Sequence, residues 1–258
     1  MLIQLVSIIL IPAISAKHAI NSFKGRIIGG YDANIADYPY QVSIANPGFG
    51  HFCGGSIYKA NTIITAAHCV DGIPPSEIII RAGSSSRKGG GITINVEKII
   101  VSNLWNEKTI DGDIALLILQ KNLPISNNIK PIELATDNLK NGDIAYISGW
   151  GVTDDENVTE EIDPELPDNL QAVDVPIFDW KECNILLEGK LTKNMFCAGQ
   201  IDGSKDSCRM DSGGPLVMNN KLYGIISWGR SCGKPNSPGV YTNVKNFIGW
   251  IKEISKEN

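Results

Sequence analysis

The sequence predicts an all-β protein, a barrel or sandwich of many short strands, on three observations. Ten short runs rich in β-branched residues recur between residues 41 and 244. Turn-forming residues separate them, with 26 Gly and 13 Pro in a chain of 258. A helical period is visible only at the C-terminus.

In chain order the predicted strands are 41–45, 62–65, 78–82, 92–101, 114–119, 144–148, 171–177, 215–217, 222–228 and 240–244. Val244, Phe247, Ile248, Ile251 and Ile254 then recur at helical spacing with lysines opposite, which predicts a terminal amphipathic helix docked on the body. Two segments read as exposed loops. Residues 84–91 are rich in Ser and Gly and carry Arg87 and Lys88. Residues 153–168 hold eight carboxylates and no basic residue, so self-repulsion keeps them extended and solvated. The same segment contains Asn157-Val158-Thr159, a short glycosylation sequon.

Residues 1–16 read as a secretory signal peptide: an apolar core over 2–14, interrupted by Pro12, with Ser15 and Ala16 as the small-residue exit. No later stretch is apolar enough to span a bilayer, so no membrane partner is expected. With 43% hydrophobic and 20% charged residues, the composition excludes disordered, collagen-like and coiled-coil classes. A net charge of −5 argues against nucleic acid, which needs a basic footprint. Secretion puts the six cysteines in an oxidising compartment. None forms a C-x-x-C pair, so a zinc site is a poor reading, and spacing alone cannot choose among 15 pairings.

Three separated segments carry chemistry: Thr65-Ala66-Ala67-His68-Cys69, Asp111-Gly112-Asp113-Ile114-Ala115, and Asp206-Ser207-Cys208-Arg209-Met210-Asp211-Ser212-Gly213-Gly214-Pro215. Beyond residue 26 the only histidines are His51 and His68. A serine hydroxyl is a poor nucleophile at neutral pH. It needs a base, and the base needs a partner that fixes its tautomer. His68, Asp113 and Ser212 supply those roles in one of the known chain orders. The order, and Met210 in place of the first glycine of a G-x-S-x-G elbow, exclude a serine hydrolase on an α/β sheet.

From Ile27 to its end the chain resembles the trypsin/chymotrypsin family of serine endopeptidases. The resemblance rests on eight motifs in family order. They are Ile27-Ile28-Gly29-Gly30, Cys53-Gly54-Gly55-Ser56, Thr65 to Cys69, Asp113 to Leu117, Ser148-Gly149-Trp150-Gly151, Asp211 to Leu216, Ser227-Trp228-Gly229 and Pro238-Gly239-Val240-Tyr241. The loop spacing and small cysteine complement look most like arthropod digestive trypsins, including the mite trypsin-like allergen group. The resemblance implies two six-stranded antiparallel β-barrels (residues 27–130 and 131–258) with a C-terminal helix and an active site between them. It also implies the disulfides Cys53–Cys69, Cys183–Cys197 and Cys208–Cys232, and an activation segment, 17–26, cut at Arg26-Ile27. The freed Ile27 α-amino group would then pair with Asp211.

Asp206 falls where the family places the base of its specificity pocket, with Ser207, Ser227, Trp228, Gly229 and Gly239 around it, which implies cleavage after Arg or Lys. The expected partners are protein or peptide substrates and protease inhibitors, and a monomer without cofactors is expected. The family's calcium loop corresponds to residues 81–96, which lack its liganding carboxylates, so no metal is expected. Two departures stand out. Met210 replaces the glycine whose N–H joins that of Ser212 in the oxyanion hole, where a side chain brings strain or a peptide flip. Ser231 replaces a usual glycine near the pocket mouth. Met210 also raises a competing expectation, a silent paralogue acting as a binding or inhibitory module. His51 reads as structural.

Overall fold

The structure is a computed structural model that describes residues 27–152 and 166–257. The segments read as signal peptide and activation segment, Arg26, and the Asn157 sequon lie outside the described residues.

The first half holds β1 (Tyr31–Asp32), β2 (Gln41–Asn46), β3 (Gly50–Lys59), β4 (Thr62–Thr65), β5 (Ile79–Ala82), β6 (Ile92–Val101) and β7 (Ala115–Leu119). Strands β2 to β7 close into a six-stranded barrel in the order β2-β3-β4-β7-β6-β5. Its β-branched residues are buried: Val42, Ile44, Ile57, Ile63, Ile64 and Ile80 are each 0% exposed. β3 contains too many glycines to be read as a strand from propensity. Those glycines are required by close approach, because a Cβ on Gly54 would lie 2.9 Å from Gly214 Cα, and one on Gly55 would lie 2.9 Å from Ile63 Cγ2.

The second half holds β8 (Glu133–Leu134), β9 (Ile144–Gly149), β10 (Gln171–Pro176), α1 (Trp180–Leu186), β11 (Met195–Ala198), β12 (Pro215–Met218), β13 (Lys221–Trp228), β14 (Gly239–Asn243) and α2 (Ile248–Glu257). Its eight-stranded sheet runs β1-β10-β9-β12-β13-β14-β11, with β8 beside β13. A bridge between Ile177, just after β10, and Ala198 of β11 joins the ends of the six central strands into a ring. Phe178 N–H to the Cys197 carbonyl (3.0 Å) and Gly199 N–H to the Pro176 carbonyl (3.1 Å) hold that seam. All pairings within that ring are antiparallel, and the short β8 outside it runs parallel to β13. The terminal helix begins as a 3-10 turn over Val244–Phe247. Val244, Phe247 and Ile251 bury against a core that includes first-barrel residues such as Ile57 and Ile63.

Residues 84–91 are not a free loop. The Arg87 guanidinium donates to the Leu166 and Pro167 carbonyls at 3.1 and 3.0 Å, and Lys88 pairs with Asp168 at 2.6 Å. Trp150 Nε1 donates to the Ser85 carbonyl at 2.9 Å. The basic loop of one half thus clasps the described end of the acidic segment of the other. The three disulfides join Cys53 to Cys69, Cys183 to Cys197 and Cys208 to Cys232.

Candidate active site

His68 sits in a 3-10 turn, Ala67–Cys69, directly after β4, and the adjacent Cys69 is tied to β3 through Cys53. Asp113 precedes β7 and is fully buried. One of its oxygens accepts the His68 backbone N–H at 2.9 Å; the other faces His68 Nδ1 at 2.8 Å and accepts the Ser227 hydroxyl at 2.5 Å. Thr242 Oγ1 donates to the Asp113 carbonyl at 2.8 Å, fixing the backbone as well. A carboxylate accepting from Nδ1–H leaves Nε2 of the imidazole as the free base. His68 is partly open to solvent, with 30% of its side chain exposed. Cys53 and Cys69 lie close to it, but both sulfurs are in a disulfide and offer no thiolate to a metal.

Ser212 lines a cavity of about 280 Å³ together with Ser227, so the Asp113 network and the serine share one cleft. Among the described residues no hydrogen bond joins Ser212 Oγ to the His68 ring, whose Nε2 lies 3.8 Å from Cys69 Sγ. Such contacts are often long in unliganded sites and tighten when substrate arrives. The Ser212 carbonyl accepts Gly54 N–H of β3 at 2.8 Å.

The same cavity is floored by Asp206, 3% exposed. Its Oδ2 accepts Gly233 N–H at 3.2 Å, whereas Oδ1 is buried with no partner. Burial pushes this carboxyl up to about 7. A Cβ on Gly239 would lie 3.0 Å from Asp206 Oδ1, so a side chain there would crowd the carboxylate. Gly229 faces open space, which keeps the cavity mouth clear. The Ser207 hydroxyl pairs with Tyr241 at 3.2 Å. Trp228 forms a half-buried wall, and Ser231 lies at the rim.

Between Asp206 and Ser212 the chain makes a tight turn. Met210 has φ +70°, a left-handed conformation that costs a non-glycine residue roughly 1–2 kcal/mol. The Arg209 carbonyl is held by Val152 N–H at 2.8 Å. The chain has no cis peptide among the described residues, so in the planar trans peptide the Met210 N–H points the opposite way. Neither the Met210 nor the Ser212 N–H is taken by a hydrogen bond among the described residues, which leaves two donors two residues apart. Of the two expectations at Met210, the strain of a left-handed backbone is present.

Asp211 is fully buried and accepts Gly151 N–H at 2.7 Å and Cys208 N–H at 3.2 Å. Burial pushes it, too, up to about 7. Ile27 is fully buried, and the Ile28 carbonyl accepts the Asp206 N–H at 3.2 Å, so this segment packs beside the loop.

His51 is the residue whose part the sequence hid. Its buried ring faces Ser43 Oγ at 2.8 Å through Nδ1 and donates from Nε2 to the Met210 carbonyl at 3.1 Å. A lone histidine between the expected strands 41–45 and 62–65 gives no signal of a partner 159 positions away.

The family model described as Trypsin matches residues 27–251. Trypsin epsilon of Drosophila erecta is 39% identical over 236 residues, covering 90% of this chain and 89% of that protein. Serine protease 1 of Homo sapiens is 39% identical over 236 residues, covering 90% and 91%. Hypodermin-A of Hypoderma lineatum is 41% identical over 230 residues, covering 88% and 86%.

Proposed function

The chain belongs to the trypsin family of serine endopeptidases, and on that premise we propose that it is secreted as a zymogen and cleaves after Arg or Lys. The observation that carries the specificity is Asp206 Oδ1, buried and unpartnered at the cavity floor. A desolvated carboxylate with a vacant hydrogen-bonding position favours a long cationic side chain and rejects a neutral one, which would leave it unpaired.

In this reading Ser212 Oγ attacks the scissile carbonyl carbon while His68 Nε2 takes its proton. Asp113 holds the ring by Nδ1 and stabilises the imidazolium. The carbonyl oxygen becomes an oxyanion between the N–H groups of Met210 and Ser212. His68 returns the proton to the leaving amine as the C–N bond breaks, which leaves an acyl-enzyme. Water, deprotonated by His68, attacks the ester carbon; the proton then passes to Ser212 Oγ as the acid product departs.

Two further features support activation by cleavage at Arg26-Ile27. Asp211 is buried without a cation facing it among the described residues, and Ile27 packs in the same region. A new ammonium at Ile27 would supply the missing charge. Protein inhibitors that fill the cleft are the expected partners besides substrates.

The test is to process the full chain at Arg26 and assay Arg, Lys and Phe esters. Turnover of Arg and Lys esters that disappears in Ser212→Ala supports the reading. A preference for Phe esters overturns the pocket assignment, and a correctly processed but inert chain overturns the catalytic one.

A further inference from the structure

We propose that Arg209 and Arg230 choose among Arg and Lys cleavage sites by the charge of the neighbouring residues, favouring sites flanked by Asp or Glu and disfavouring sites flanked by Lys or Arg. This deepens, and rests on, the specificity proposed above.

Of the residues that line the cavity, three are charged: Asp206, Arg209 and Arg230. Asp206 is buried at the floor, whereas both arginines are exposed. The two signs are therefore separated by depth. A cationic side chain that reaches the floor cancels Asp206, and the filled cavity is left with a positive mouth. The substrate chain on either side of that residue stays outside. At about 3.3–3.6 Å per residue of extended chain, its nearest neighbours lie within the roughly 8 Å Debye length of physiological salt, so both guanidinium groups sense their charge. The chain as a whole carries −5, which makes this mouth a local exception.

Both arginines have fixed attachment points. The Arg209 carbonyl accepts Val152 N–H at 2.8 Å, and the preceding Cys208 is tied to Cys232. Arg230 Nη2 pairs at 2.9 Å with Glu188 Oε1, on the turn after α1. That pair uses one corner of the guanidinium, which carries five N–H donors, so a substrate carboxylate adds to it. The Glu188 side chain is 69% exposed; water screens it, and it offsets only part of the Arg230 charge. Two arginines against one glutamate leave a positive excess. A Lys or Arg beside the cleaved residue meets like charge there, and that repulsion discriminates as much as the attraction of an acid does. The chain's own activation segment is such a site. Lys24 lies two residues before Arg26, and residues 17–26 contain no carboxylate. The same rim thus slows the processed enzyme at the Arg26-Ile27 bond of an uncut copy.

The experiment measures kcat/KM of the processed full chain on peptides holding a single Arg, in which each of the three residues before and after it is in turn Glu, Gln or Lys. Wild type, Arg209→Gln, Arg230→Gln and the pair are compared, each by its own ratio of Glu to Lys peptides. In wild type the expected order is Glu above Gln above Lys. Glu should exceed Lys by about fivefold or more at one or more positions, the swing from a surface ion pair gained to a repulsion incurred. That ratio is expected to fall toward one in the double variant. In wild type it should fall likewise at about 1 M salt, where the Debye length is about 3 Å. The single variants then show which arginine senses which side of the cleaved bond. A full chain carrying Ser212→Ala, which cannot cut itself, serves as the protein substrate. Adding Lys24→Glu to it is expected to speed its cleavage at Arg26 by wild type, and to do so far less with the double variant. Ratios within about twofold of one at every position overturn the proposal, as does a Glu preference that survives in the double variant. A processed wild type that cuts none of the peptides would instead bring down the catalytic reading itself, a distinct outcome.

Discussion

Asp113 and Asp206 are both buried carboxylates, and the protein provides for them in opposite ways. Asp113 is met by the His68 N–H, the His68 ring and the Ser227 hydroxyl. Asp206 receives Gly233 N–H on one oxygen and no hydrogen bond on the other. A fully partnered carboxylate is a fixed part of the structure. A half-partnered one stays incomplete until a positive group arrives, because a buried charge without a partner is costly. In the function proposed above, the first serves orientation and the second recognition.

Substitution sharpens that difference most. Asp113→Asn is expected to lower kcat by about 10⁴ for every ester, since the wrong tautomer disables the base whatever the substrate. Asp206→Ser is expected to lower kcat/KM for Arg and Lys esters by about 10²–10⁴, in line with the roughly 3–5 kcal/mol lost when one partner of a buried ion pair is removed, and to leave Phe esters nearly unchanged. Uniform loss across all esters in Asp206→Ser would erase the distinction.

A pH series tests the same point more gently. Asp206 has its native pKa raised to about 7, so below that pH it is neutral and cannot attract a cation. KM for an Arg ester should rise by up to about tenfold per pH unit below 7, the slope of a single titrating group, while KM for a Phe ester stays flat. A KM for Arg esters unmoved between pH 8 and pH 5 would contradict the assignment.

Asp211 extends the comparison to a carboxylate whose missing partner is proposed to come from the chain itself. Its native pKa is also raised to about 7, from 3.8. The uncleaved native state then binds more protons than the unfolded state between those values, and its stability falls as pH rises from about 4 to about 7. A paired Ile27 ammonium would remove that loss. Cleavage at Arg26 should therefore raise the Tm at pH 8 by several degrees, at about 2–4 °C per kcal/mol for a chain of this size. The gap should close toward pH 4. Calorimetry of both forms measures it, and equal Tm values at pH 8 would refute the pairing.

The strands legible in the sequence were those stabilised by their own residues: β-branched runs such as 62–65 and 92–101 match β4 and β6 to the residue. β3 was missed because its glycines answer to Gly214 and Ile63 rather than to strand propensity. Helix α1 has only seven residues, capped by Asp179 and anchored by Cys183, too few to show a period. The site was legible where chemistry is concentrated in short motifs around His68, Asp113 and Ser212. It was not legible where function depends on a contact between distant segments. The His51 grip on Met210 spans 159 positions, and the Arg87 clasp on Pro167 spans 80; neither leaves a local pattern.

The most direct test of the account is to expose the processed chain to a fluorophosphonate probe and map the adduct by peptide mass. The account predicts one adduct per molecule, on Ser212, absent in Ser212→Ala and formed far more slowly in Asp113→Asn. A processed, folded chain that remains unlabelled, or is labelled at another serine, would contradict it.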